Sequence, residues 1–270
     1  MSSNTRQTAE TIERQRRCGT DGNGLKHRGY CRLLIAAIIV AAAALGPASA
    51  RPLYPDFQTE SPTHLSFDVV KISGANHDVL RLTTTVDNFG KGRGEFEGEA
   101  TSSRIYQNIY DAPTGGNQVA HIFLGNIGIY HPVHMHYHIK FFALYTLLDA
   151  ATNTSLGHGA KTSFCIEDVI NRSSPYSAKY TKCTNTDVQG ISVGWADVYK
   201  STVADQWVDL GRVQRGAPPL PNGNYVLRSK ANYQNKFYEG PNKGDNTGNN
   251  TGKTCFAVFR GAITDTNPGC

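Results

Sequence analysis

From His134 to Leu147 the chain alternates with a period of two. The even positions open with His134, His136 and His138. The odd positions run Met135, Tyr137, Ile139, Phe141, Ala143, Tyr145 and Leu147, all apolar or aromatic. Side chains two apart share a face only in an extended strand. The stretch therefore reads as one strand with a buried odd face and a row of imidazoles on the even face. Neighbouring histidines in such a row have Cα atoms roughly 6–7 Å apart, near enough for the rings to converge on one ion if the strand bends. Three imidazoles without a thiolate suit Cu(II), Zn(II), Ni(II) or Fe(II). The chain has nine histidines and four lie between 131 and 138, which favours a metal site over a solvated patch.

Elsewhere strand signals recur and helix signals hardly occur. Leu65–Val70, Val79–Val86, Val119–Phe123, Ile127–Tyr130, Thr162–Ile166, Gln206–Leu210, Tyr225–Lys230 and Cys255–Ile263 are rich in β-branched and aromatic residues, and Gly92–Thr101 alternates weakly. Turn clusters separate them: Asn88-Phe89-Gly90, and the Pro-, Gly- and Asn-rich loops Pro218–Asn224 and Gly240–Gly252. Residues 51–64, with Pro52, Pro55 and Pro62, read as an extended lead-in. The expected fold is all-β, a β-sandwich with long loops.

The first fifty residues read as a leader. Six basic residues from Arg14 to Arg32 precede thirteen apolar ones, Leu33 to Leu45, and Ala48-Ser49-Ala50 offers an A-x-A cleavage site. The apolar run is short of the roughly 20 residues a membrane span needs. Cleavage would make Arg51 the mature N-terminus of a secreted or extracytoplasmic domain, residues 51–270. An uncleaved anchor is the alternative, and the one way in which the chain would meet a membrane. Residues 1–50 hold seven of the lysines and arginines and three of the acids, hence four of the five net positive charges. The remainder is nearly neutral and gives no reason to expect a nucleic acid partner. It keeps Cys165, Cys183, Cys255 and Cys270. An even number in an exported chain reads as two disulfides. Three pairings are open, and proximity in sequence favours Cys165–Cys183 and Cys255–Cys270.

Downstream of the histidines lie further pieces, in order. These are Leu147–Ala150 (L-L-D-A), Lys161 in K-x-S-F-C-x-E-D, Cys183-Thr184, Gln189–Ser192 (Q-G-x-S), Asp197 and Tyr199 in D-x-Y, Gln206–Asp209 (Q-W-x-D) and Gly223–Leu227 (G-N-Y-x-L). Alone, Lys161 would be a solvated charge and Tyr199 a core or strand tyrosine. Together with H-x-x-H-x-H-Y-H, from about Tyr130 to Cys270, they resemble the catalytic domain of the lysyl oxidase family. The resemblance implies that His134, His136 and His138 bind Cu(II). It implies that Lys161 and Tyr199 become cross-linked into lysine tyrosylquinone, and that Asp197 is the general base. His131 matches a motif histidine too, but its parity sets it apart from the row, so it is expected to support the ligands from outside.

The implied activity is oxidation of a primary amine, on protein lysine side chains or small amines, to an aldehyde. O2 is consumed and ammonia and hydrogen peroxide are released. Copper beside a tyrosine can pass electrons to O2, and a lysine amine can add to the oxidised ring, so that the side chains become the electron sink. The chain departs from the animal pattern at Val133, Trp195 and Asp205, where the animal enzymes carry cysteines, and after His138, where it is one residue shorter and lacks a further histidine. An extracellular copper-binding or buffering protein is the competing reading, and a histidine-zinc hydrolase a third. A copper buffer needs neither Lys161 nor Tyr199.

Overall fold

The computed structural model describes residues 50–98, 102–131, 135–183 and 188–270. The leader, and His134 of the histidine row, lie outside the described residues. Residues 50–270 form one unit. Its strands in chain order are β1 (Phe57–Thr59), β2 (Thr63–Ile72), β3 (Ala75–Asn88), β4 (Gly94–Gly98), β5 (Ile105–Tyr110) and β6 (Gln118–Gly125). Then come β7 (Gly128–His131), β8 (His136–Lys140), β9 (Ala143–Asp149), β10 (Ser155–His158), β11 (Ser163–Phe164) and β12 (Ile170–Asn171). The last are β13 (Val188–Ile191), β14 (Trp195–Tyr199), β15 (Trp207–Arg212), β16 (Gly223–Ala231), β17 (Thr251–Phe259) and β18 (Ala262–Pro268). The fold is all-β. Among the described residues its one helical element is a single 3-10 turn, Thr247–Asn249, and no helix is long and apolar enough to cross a membrane.

Four antiparallel sheets share one core. β3 is the hub of a six-stranded sheet, pairing with β1, β2, β14 and β15, and β12 extends it from β14. A five-stranded sheet runs β10-β9-β16-β17-β18, a four-stranded sheet β13-β4-β5-β6 and a three-stranded sheet β11-β8-β7. Alternation explains the packing: β16 buries Tyr225, Leu227, Ser229 and Ala231, every second residue, and its partner β17 buries Gly252, Thr254, Phe256 and Val258. The inner faces meet in an aromatic cluster. Phe142 packs at 6.0 Å from Phe57 and 5.8 Å from Phe164, and Phe164 meets Tyr145 edge-on at 6.2 Å.

The structure changes two expected strands. The stretch from His134 to Leu147 is not continuous. β8 stops at Lys140, Phe141 takes a left-handed φ of 69°, and Ala143 starts β9 in another sheet. The buried phase survives at Tyr137, Ile139, Ala143, Tyr145 and Leu147, but Met135, expected inside, sits exposed in a turn with φ 55°. Cys255–Ile263 is likewise a hairpin. Arg260 and Gly261, with φ of 53° and 78°, form the two-residue loop between β17 and β18. Ser73-Gly74 closes β2 and β3 in the same way. Two successive positive φ values match the twist of the flanking strands, and glycine takes the second at no steric cost.

Two disulfides staple the fold in the favoured pairing. Cys165–Cys183 and Cys255–Cys270 each have Cα atoms 5.9 Å apart. Both close loops of fewer than twenty residues, and each stabilises the fold by about 3 kcal/mol in the chain-entropy account. They fit an oxidising compartment.

Candidate active site

The site is a cleft of about 650 Å³ where β7, β8, the segment 160–169, β14 and the turn before β15 meet. His131, His136, His138, Lys161, Glu167, Asp197, Tyr199 and Asp205 all line it.

On β8 the odd residues Tyr137 and Ile139 go into the core, which forces His136 and His138 onto the cleft face. Their Nε2 atoms stand 3.1 Å apart. Two nitrogens each about 2 Å from one ion, at angles from square to tetrahedral, stand about 2.8–3.3 Å apart. The pair thus has the spacing of two ligands of one metal. Ser163 on β11 brings its hydroxyl to 3.5 Å from His138 Nδ1, where it restrains the ring.

The expectation that parity separates His131 from the row fails. His131 is on β7, directly opposite His136, so it shares the face of that residue. Its ring centroid is 4.4 Å from that of His138. Parity governs one strand only and does not carry over from β7 to β8. His136 also approaches the Cys165–Cys183 disulfide, a ring nitrogen and both sulfurs lying within 4.8 Å of one another. Disulfide sulfurs are not thiolates, so these cysteines are not ligands in this state.

Lys161 and Tyr199 lie side by side. Lys161 Nζ is 5.2 Å from the centroid of the Tyr199 ring and 5.4 Å from that of Phe164. β11 pairs with β8 and so carries Lys161 to the histidines, while β14 pairs with β3 and carries Asp197 and Tyr199 on one face. Phe164 packs edge-on against Tyr199 at 5.0 Å and backs it with the aromatic core. Burial lowers the Lys161 pKa from its ordinary value, against the opposing pull of Asp205 and Asp197.

Asp197 is 2 % exposed, and among the described residues its Oδ2 has no hydrogen-bond partner. Burial raises its pKa well above that of a free aspartic acid, although the Tyr199 hydroxyl beside it pulls the other way. The Tyr199 pKa is raised as well, by burial and by Asp197. Its hydroxyl donates to the Cys165 carbonyl.

Several motif residues that carry no chemistry in the sequence turn out to build the walls. Gln189, fully inside, donates to the Tyr137 carbonyl of β8 and accepts from Ile166 N–H at 3.0 Å, tying the histidine strand to the lysine segment. Gly190 must be glycine, because a Cβ there would run into the Gly94 carbonyl. Asp168 accepts from Ser192 N–H and Oγ at 2.7 Å each, and from Lys179 and Tyr180 N–H at 2.8 and 3.1 Å. Glu167 accepts from Cys183 N–H. Isolated acids and amides look like surface residues in a sequence, and only their recurrence in an ordered motif series set them apart.

Residues 115–266 match the family model described as lysyl oxidase. Over 104 residues, 38% of the chain, it is 38% identical to lysyl oxidase homolog 1 of Homo sapiens, covering 16% of that protein. Over the same length it is 36% identical to protein-lysine 6-oxidase of Rattus norvegicus and 35% identical to that of Sus scrofa, covering 23% and 38% of them. The alignments thus span well under half the length of these relatives. With more than half of its residues under the family model, the chain belongs to the lysyl oxidase family.

Proposed function

We propose that the protein is an exported copper- and quinone-dependent amine oxidase. It converts peptidyl lysine or other primary amines to aldehydes, with O2 consumed and ammonia and hydrogen peroxide released. The observation that carries the reading is the placement of Lys161 Nζ 5.2 Å from the Tyr199 ring in the cleft that holds three imidazoles. A copper buffer needs imidazoles alone. The lysine beside the tyrosine favours the enzyme.

The donor set fits the metal. His136 and His138 have the ligand spacing, and we assign His134 as the third ligand from its place in the motif. His131 packs on His138 and limits the swing of that ring. When bound, copper would pass electrons from the tyrosine ring and the reduced cofactor to O2. The lysine tyrosylquinone would serve as the electron sink for the amine substrate. Lys161, with its pKa lowered by burial, offers more free amine to the oxidised ring than an exposed lysine would. Tyr199 is fixed by Phe164 and the Cys165 carbonyl, which holds the ring still while the bond forms. Asp197 is the group that takes the proton from the carbon next to nitrogen. A buried carboxylate with a raised pKa is strong enough for that task near neutral pH, and its unpartnered oxygen is available for it.

The test is direct. Copper-loaded, aerated protein gains visible quinone absorbance and reacts with phenylhydrazine. Tyr199→Phe binds copper yet shows neither. Hydrogen peroxide still made from amines by Tyr199→Phe would overturn the cofactor assignment.

A further inference from the structure

The lysines and acids lining the cleft are Lys161, Lys182, Glu167, Asp197 and Asp205. Asp205 is exposed in the turn between β14 and β15, where it holds a left-handed φ of 61°. That conformation is costly for most side chains, though aspartate tolerates it better than most. Asp205 and Asp197 are the two acids that act on the Lys161 charge, one at the cleft mouth and one at its buried end. Asp197 also brings a buried oxygen with no partner among the described residues.

Cross-linking removes the cation these acids face. A phenol, an ammonium and two O2 become the amine-linked quinone, one water, one hydrogen peroxide and one proton. The ring is oxidised, O2 is reduced, a C–N bond replaces one ring C–H bond and a second C–O bond replaces another, and Nζ ends uncharged in conjugation with the ring. Among the described residues lining the cleft, Lys182 is then the only lysine or arginine, against three carboxyl groups.

Accordingly, we infer that Asp205 is the specificity-determining residue that recruits the substrate's primary ammonium group. In the uncross-linked chain Lys161 stands where that ammonium later sits. The inference rests on the amine oxidase reading of the same cleft. It gives the acid two successive uses, first to hold Lys161 over the ring and then to draw an aliphatic cation to the place Lys161 has left.

The test needs neither copper nor turnover. Copper-free wild-type protein, Lys161→Met and Lys161→Met/Asp205→Asn are titrated with n-pentylammonium by calorimetry. Lys161→Met vacates the cation's place and should bind at least tenfold more tightly than wild type. Adding Asp205→Asn should cost about fivefold, the upper range for one exposed ion pair, and adding Asp205→Glu instead should retain most of the affinity. Lys161→Gln replaces Lys161→Met if the latter melts below the assay temperature. Binding no tighter in both Lys161 variants than in wild type, or indifferent to Asp205→Asn, overturns the inference. In the mature enzyme Asp205→Asn should raise KM for pentylamine about fivefold and change kcat less than twofold. An oxidase that turns over with that KM unmoved would keep the oxidase reading and defeat the inference. Cation binding as expected, in a protein that never forms a quinone, would do the reverse.

Discussion

Two buried carboxyl groups, Glu95 and Asp197, meet opposite treatment. Glu95 on β4 is 2 % exposed. Burial would raise its pKa, but Lys179 and Tyr110 donate to it, with Tyr180 at 2.7 Å and Asn108 at 3.0 Å, and together they bring it down to about 2. Asp197, equally buried, keeps an oxygen unpartnered among the described residues and a raised pKa. The first spends its lone pairs on tying β4 to its neighbour β5 and to the loop that carries Lys179 and Tyr180. The second is left reactive at the end of a cleft. A buried acid with all its partners belongs to the fold, and one without them is a candidate for chemistry.

The comparison breaks first at Glu95. Glu95→Ala strands Lys179, Arg93 and two tyrosines around a hole, and should cost about 3–5 kcal/mol in urea unfolding at pH 7. Because the folded pKa lies below the unfolded one, this contribution is present above about pH 4.5 and fades as pH falls through about 2. The gap between variant and wild type should close over that range. A gap that persists unchanged at pH 2 would mean that the carboxylate charge is not what matters.

Asp197→Asn should do the opposite. Amine oxidation falls at least about 100-fold, while the protein melts higher. The folded chain keeps the Asp197 proton above the pH at which an unfolded aspartic acid, near 3.9, loses it. Stability from the wild-type acid therefore drops as pH rises above about 4, and the variant's advantage should widen with it until the folded acid ionises. A variant that melts lower at every pH would place Asp197 with Glu95 as a structural acid.

Glu239 lies between the two. It accepts from Phe57 N–H at 2.6 Å and from the Asn232 and Asn250 amides at 2.7 Å each, yet burial still lifts its pKa from 4.5 to about 7. Wild-type stability should fall as pH climbs between those values, and Glu239→Gln should flatten the slope by about 1–2 kcal/mol in thermal melts. The smallest effect belongs to an exposed acid. Asp68 pairs with Arg81 Nε at 2.6 Å, but Asp68→Asn should change stability by no more than about 0.5 kcal/mol, measured in the same way.

The histidine face of β8 was legible because period-two alternation reports directly on which way side chains face, whereas Lys161, Asp197 and Tyr199 stood out only through the ordered motif series. The strands β2, β3 and β16 follow from that alternation and from turn chemistry, and the disulfide pairs from proximity in sequence. The break at Phe141 was not legible. A left-handed φ at a phenylalanine leaves no mark in the sequence, unlike Gly74 or Gly261. His131 was misplaced because it lies on a different strand from the row, and parity does not carry over between strands. β14 was not read as a strand because Asp197, a charge in a buried strand, counts against one until its neighbours are known. Glu95 and Glu239 were passed over for the same reason: nothing local says that a glutamate is inside.

The most direct measurement is a peptide mass map of copper-loaded, aerated protein. The tryptic peptides that carry Lys161 and Tyr199 should travel as one covalently linked species, and the link should be absent from Tyr199→Phe. Recovery of the two peptides separately, from protein shown to hold stoichiometric copper, would contradict the quinone reading and leave a copper-binding protein in its place.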